Sequence, residues 1–221
     1  MSIHEYINKW ESSLGKNLFQ NIGIAVSAIV IDFGCGHGEY SIAASKYLIN
    51  GKIYAIDKNK AALSVLKNKM RNMEIENIEV IHNNGELRLP FSDEFADAIL
   101  FYDMIHGNEV RTINENRAKI PIRFELYTEA YRVLKVNGIM SIAPFRECDR
   151  MRDQQGKQRK YSKKQLVNEV ENNGFIFSSE IEGAIHFEAY HSSYQWEKHN
   201  NVMQFDDLEK GTILNFVKHT V

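Results

Sequence analysis

The feature that most constrains this chain is a six-residue apolar run that leads straight into three alternating glycines. Ala28-Ile29-Val30-Ile31-Asp32-Phe33 is followed by Gly34-Cys35-Gly36-His37-Gly38, and helical periodicity resumes over Tyr40 to Ile49. A short, β-branched run without polar alternation suits a strand buried on both faces, and such strands belong to parallel sheets. The glycines end the strand and turn the chain sharply into a helix. The segment therefore predicts a strand, a tight loop and a helix packed back on the sheet.

The rest of the chain repeats that rhythm. Strands are predicted at Lys52 to Ile56, Ile78 to Ile81, Ala96 to Phe101, Gly138 to Ala143, Phe175 to Ile181 and Thr212 to Lys218. Helices are predicted between about Asn59 and Met73, over Phe124 to Leu134, and over Ser162 to Asn172. The last of these is capped by Ser162 with Gln165 three residues on and stops at Asn173-Gly174. The first 26 residues read as one or two short helices, with Trp10, Leu14, Leu18 and Phe19 at helical spacing. Alternating strands and helices predict an α/β, Rossmann-like doubly wound sheet of seven mostly parallel strands. On such sheets ligands bind at the carboxyl ends of the strands, where the strand order reverses.

Composition excludes several classes. The 221 residues are 43% hydrophobic and 25% charged, with a net charge of −2. That is ordinary for a soluble globular protein and gives no overall electrostatic reason for a nucleic-acid or membrane partner. Only Cys35 and Cys148 are present, and one lies in the glycine loop, so a reducing cytoplasm fits better than a disulfide framework. The residues Met1 to Glu5 lack a basic stretch ahead of an apolar core, so no signal peptide is expected. No apolar run approaches the roughly 20 residues of a membrane span. A single domain over 1–221 is expected.

Each part of the loop has a chemical use. Gly34 and Gly36 let backbone approach a ligand without a Cβ in the way, and Gly38 lets the helix pack closely. The helix N-terminus presents unpaired N–H groups. Asp32, two residues before the first glycine, suits a ligand ammonium. A dinucleotide loop would read G-x-G-x-x-G, and a pyrophosphate would gain nothing from a neighbouring carboxylate. Asp57 ends the second strand 19 residues after Gly38. An acid at that distance suits a ribose diol, or it caps the helix starting near Lys60.

These stretches resemble the class I S-adenosylmethionine-dependent methyltransferases, in particular the UbiE-like, methyltransferase-11-type branch. The resemblance rests on Val30 to Gly38, Ile53 to Asp57, Leu89-Pro90-Phe91-Ser92-Asp93, Phe95-Ala96-Asp97 and Tyr131-Arg132-Val133-Leu134-Lys135-Val136-Asn137-Gly138. It implies an antiparallel last strand and S-adenosyl-L-methionine as cofactor. Asp32, Gly34, Cys35, Gly36 and Gly38 would hold the methionine part. Asp57 would take both ribose hydroxyls, and Lys58 would lie over the adenine. Asn84, Gly85 and Glu86 would border the ring, although the family's usual Asp there is replaced by asparagines. Tyr102 and Asp103 would lie beside the methionine, and His106 would face the methyl group.

Methyl transfer from a sulfonium needs alignment and exclusion of water more than acid–base help. A base is required only for an acceptor that must lose a proton. His106 suits that role, with an ordinary pKa of about 6.5, or it lines the pocket. The residues Gly183 to Lys210 form a His- and aromatic-rich insertion before the last strand. It reads as a lid, an interface or a surface excursion. Its His186 and His191 are five apart rather than i, i+4, so no metal is expected. A basic stretch from Arg146 to Lys164 reads as a solvated loop or as a phosphate contact. The residues Tyr102-Asp103-Met104-Ile105 replace the N/D-P-P-Y pattern of base methylators. The expected acceptor is a small molecule, with the protein a monomer or homodimer. The alternatives are an RNA or protein methyltransferase and a non-catalytic S-adenosylmethionine-binding protein. A nicotinamide-dependent oxidoreductase is disfavoured by the loop spacing.

Overall fold

The computed structural model describes residues 3–105, 110–113, 118–145, 148–152, 157–185 and 211–219. Its strands are β1 (Ile29–Phe33), β2 (Lys52–Asp57), β3 (Ile78–His82), β4 (Ala96–Tyr102), β5 (Val110–Ile113), β6 (Ala118–Pro121), β7 (Leu134–Phe145), β8 (Cys148–Arg152), β9 (Gln158–Tyr161), β10 (Phe175–Ala184) and β11 (Gly211–Lys218). Its helices are α1 (Ile3–Lys9), α2 (Lys16–Ile22), α3 (Glu39–Tyr47), α4 (Lys60–Asn72), α5 (Arg123–Val133) and α6 (Lys163–Glu171), with a π turn at Trp10–Leu14.

Seven strands form one sheet in the order β10-β11-β7-β4-β1-β2-β3. β1 pairs in parallel with β2 and β4, β2 with β3, and β4 with β7. β11 is antiparallel to both neighbours, as the resemblance implied. The apolar run of β1 is explained by two cores. Val30 joins the cluster that holds Ile42 and Leu66 from α3 and α4. Ile31 joins the cluster that holds Tyr127 and Leu166 from α5 and α6. A strand with helices on both faces has no solvent side, so alternation disappears.

Local signals act where the spacing placed them. Ser162 and Gln165 form a capping box at the start of α6. Arg132 ties two of the quoted stretches together: it donates to the Leu89 and Phe91 carbonyls and to the Asp93 and Glu129 carboxylates. Asp97 accepts from the Ile29 N–H at the start of β1 and from the Lys135 ammonium.

Three features differ from the periodicity reading. Leu14 is exposed, because the π turn closes an i to i+5 bond from Gly15 N–H to the Trp10 carbonyl and rotates it off the apolar stripe. The basic stretch contains an antiparallel pair, β8 and β9. A second pair, β5 and β6, lies between β4 and α5. Of the insertion expected over Gly183 to Lys210, Gly183 and Ala184 belong to β10, Ile185 is buried, and the rest lies outside the described residues. Among the described residues, no helix is long and apolar enough to cross a membrane.

Candidate active site

The sheet reverses its order between β1 and β4, and two adjoining cavities open at the carboxyl ends of these strands. One, of about 240 Å³, has the more polar lining of the two, with Asp32, Gly36, Glu39, Tyr40 and Tyr102 among its residues. The other, of about 170 Å³, is mostly apolar, with Phe33, Ile56, Leu87, Met104 and Ile122 in its wall. Gly34, Asp57 and Asp103 line both.

The loop is pinned to β2, because the N–H groups of Gly34 and Cys35 both donate to the Ile56 carbonyl, at 2.8 and 3.1 Å. A Cβ on Gly34 would lie 2.3 Å from Met104 Sδ, and one on Gly38 would lie 2.3 Å from Leu66 Cδ1. At Gly36 (φ 54°) a Cβ would meet nothing within 4 Å. Two loop glycines thus satisfy protein packing, and the third leaves open space.

Asp32 is 2% exposed, and its Oδ2 accepts from Ser41 Oγ at 2.5 Å. Burial pushes its carboxyl up to about 7; Ser41 opposes that rise, and the nearby Glu39 and Asp57 add to it. The second oxygen, Oδ1, accepts no hydrogen bond from a described residue. The larger of these two cavities is lined by four acids (Asp32, Glu39, Asp57 and Asp103) and by no described lysine or arginine. Such a cavity favours a cation. Burial also pushes the Cys35 thiol far up, which makes it a poor nucleophile.

Asp57 is not the helix cap. Asn59 caps α4 by accepting from Ala61 and Ala62 N–H. Asp57 accepts from Gly36 N–H at 2.8 Å and from Asn59 N–H at 2.7 Å, so it braces the glycine loop from the next strand. An ionised carboxylate offers about four lone-pair sites, which leaves room for two further donors.

Lys58, Asn83 and Gly85 line the apolar cavity. Asn84 and Glu86 are exposed and stand outside that wall. Asn83 takes the inward place because it accepts from Gly85 N–H and donates to the Glu86 carbonyl. Tyr102 is buried, with its ring 4.4 Å from that of Tyr40 and its hydroxyl 2.9 Å from Ser141 Oγ. Ser141 continues to Asn215, and Asn215 to Ser179, across β7, β11 and β10. Asp103 has φ 60° and donates its N–H to the Ala143 carbonyl. His106, His186 and His191 lie outside the described residues.

Sequence reasoning did not single out Ser41, Glu39, Tyr40, Met104 or Ile122. The first three were legible in principle. The first turn of a helix that follows a glycine loop must face the carboxyl end of the preceding strand.

Residues 25–207 match the family described as "Methyltransferase domain". The chain is 25% identical over 124 residues to a demethylmenaquinone methyltransferase of Oceanobacillus iheyensis, covering 56% of this chain and 47% of that protein. It spans about half the length of the curated relatives it matches. Its fold resembles a SAM-dependent methyltransferase from Aquifex aeolicus (TM-score 0.62, 19% identity, 96% of this chain and 93% of that one). It also resembles the [4+2]-cyclase SpnF (TM-score 0.63, 14% identity, 93% and 82%), so the fold alone does not specify the reaction.

Proposed function

The chain belongs to the methyltransferase-domain family of class I S-adenosylmethionine-dependent methyltransferases, and on that premise we propose that it transfers a methyl group from S-adenosylmethionine to a small-molecule acceptor. The observation that carries the reading is the buried Asp32 carboxyl in the wall of an acidic cavity beside Asp57 and Gly36, with only its Oδ2 taken by a described hydrogen bond, from Ser41.

The residues present fit the cofactor. Asp32 Oδ1 would accept from its ammonium, and the space over Gly36 would admit its chain. Asp57 would take the ribose hydroxyls with its remaining lone pairs. The apolar cavity would hold the adenine between Met104 and Leu87, with Lys58 and Asn83 at its edge. Gly34, Cys35, Gly85, Tyr102 and Asp103 complete the wall; Gly38 would act behind it by packing α3 against Leu66, and Asn84 and Glu86 would border it from outside. The bound cofactor supplies an activated methyl group on a sulfonium. The chain's own work is then to orient the acceptor and to exclude water. His106 is the proposed proton acceptor where the acceptor atom carries a proton.

The name of the Oceanobacillus relative supports a small acceptor. A cytoplasmic monomer or homodimer is part of the same proposal. Incubation with methyl-labelled S-adenosylmethionine and parallel pools of reduced demethylated quinones, small amines, total RNA and protein tests the acceptor. Label is expected in a small-molecule pool. Label confined to RNA or protein would overturn that assignment.

A further inference from the structure

The acidic cavity is braced from a part of the chain that never lines it. Glu39 and Tyr40, consecutive residues in the first turn of α3, form one wall. Trp10 and Glu11, consecutive residues of the π turn, hold both from behind. Lys69 Nζ on α4 sits 2.5 Å from Glu11 Oε1 and 3.4 Å from Glu39 Oε1. The Trp10 ring meets the Tyr40 ring edge-on at 5.2 Å. Tyr40 in turn donates its hydroxyl to the Ile185 carbonyl. Gly15, at the end of the turn, is so close to α3 that a Cβ there would lie 2.7 Å from Ala43 Cβ.

We propose that Trp10 and Glu11 are positioning residues of the donor pocket, acting through Tyr40 and Glu39 on the end that takes the amino-acid part of the ligand. This rests on the cofactor reading above. The physical reason is charge sharing. Glu11 is nearly fully buried and holds Lys69 closer than Glu39 does. Glu39 therefore shares one ammonium with Glu11 and is only partly offset by it. Neutralising Glu11 frees Lys69 to pair fully with Glu39, which withdraws the Glu39 charge from a ligand ammonium. Trp10 acts sterically, because without its ring Tyr40 loses one of its two described ring contacts.

The test uses two ligands that differ only in the amino-acid part. S-adenosylhomocysteine carries the ammonium; 5′-methylthioadenosine lacks it. Both are titrated calorimetrically against the wild type, Glu11→Gln and Trp10→Leu, at a temperature where circular dichroism shows each variant folded. We expect at least a fivefold loss for S-adenosylhomocysteine and less than a twofold change for 5′-methylthioadenosine in both variants. Equal losses for the two ligands, or no loss for either, would overturn the proposal and leave the cofactor reading standing. A wild type that binds neither ligand would overturn both.

Discussion

Asp32→Asn is expected to stabilise the ligand-free protein at pH 8 and to weaken S-adenosylmethionine binding about 100-fold. The two effects have one cause. Burial holds the Asp32 carboxyl near 7, well above its ordinary 3.8. The folded state therefore binds this proton more tightly than the unfolded chain. The contribution to stability is fully present below about pH 3.8 and is lost as pH rises through 7. Above 7 the ionised, buried group opposes folding, and asparagine removes that opposition while still accepting from Ser41. The gain should be roughly 4 kcal/mol at pH 8 and near zero at pH 4, read from urea midpoints. Binding loses a charge-assisted hydrogen bond of roughly 3 kcal/mol, which corresponds to the 100-fold loss. In the wild type, binding below pH 7 must first expel the proton, so affinity falls about tenfold per unit there; in the variant it stays flat. A variant that is less stable at pH 8, or one that binds as well as the wild type, would contradict this account of Asp32.

Gly36→Ala and Gly38→Ala should separate binding from folding. At Gly36 the new methyl group meets no protein atom within 4 Å. The fold then loses only about 1 kcal/mol from a left-handed residue. The methyl enters the space proposed for the ligand, and affinity should fall by roughly 30-fold or more, about 2 kcal/mol. At Gly38 the methyl meets Leu66 Cδ1 at 2.3 Å, and φ is 85°. Stability should fall by about 3 kcal/mol, while the molecules that remain folded bind as the wild type does. Thermal melts with and without S-adenosylhomocysteine distinguish the two patterns. Equal binding losses in both variants would mean that the loop acts as one structural unit.

Much of this was legible because the decisive signals are local. The unbroken apolar run of β1 announces two covering layers, and the Ser162–Gln165 pair marks the start of α6 to the residue. The glycine spacing and Asp57 point to the ends of two neighbouring strands. The hairpins were missed for a physical reason. β5 reads Val-Arg-Thr-Ile and β8 reads Cys-Asp-Arg-Met-Arg, and among the described residues each pairs only with its own partner. Strands outside the main sheet need not bury both faces, so they carry no apolar run to detect. The choice between Asn83 and Asn84 depended on which side chain closes a turn onto Gly85. The N-x-G spacing favours Asn83, a cue weaker than the family pattern that drew attention to Asn84. The link from Glu11 to Glu39 through Lys69 joins three segments far apart in sequence, and no periodicity encodes it.

The acidic cradle at the end of β1 is proposed to take a sulfonium-bearing adenosyl ligand rather than a dinucleotide. Calorimetric titration of the intact chain at pH 8 with S-adenosylmethionine, S-adenosylhomocysteine and NAD tests it most directly. One-to-one binding of the first two and no heat with NAD are expected. Binding of NAD alone would contradict it.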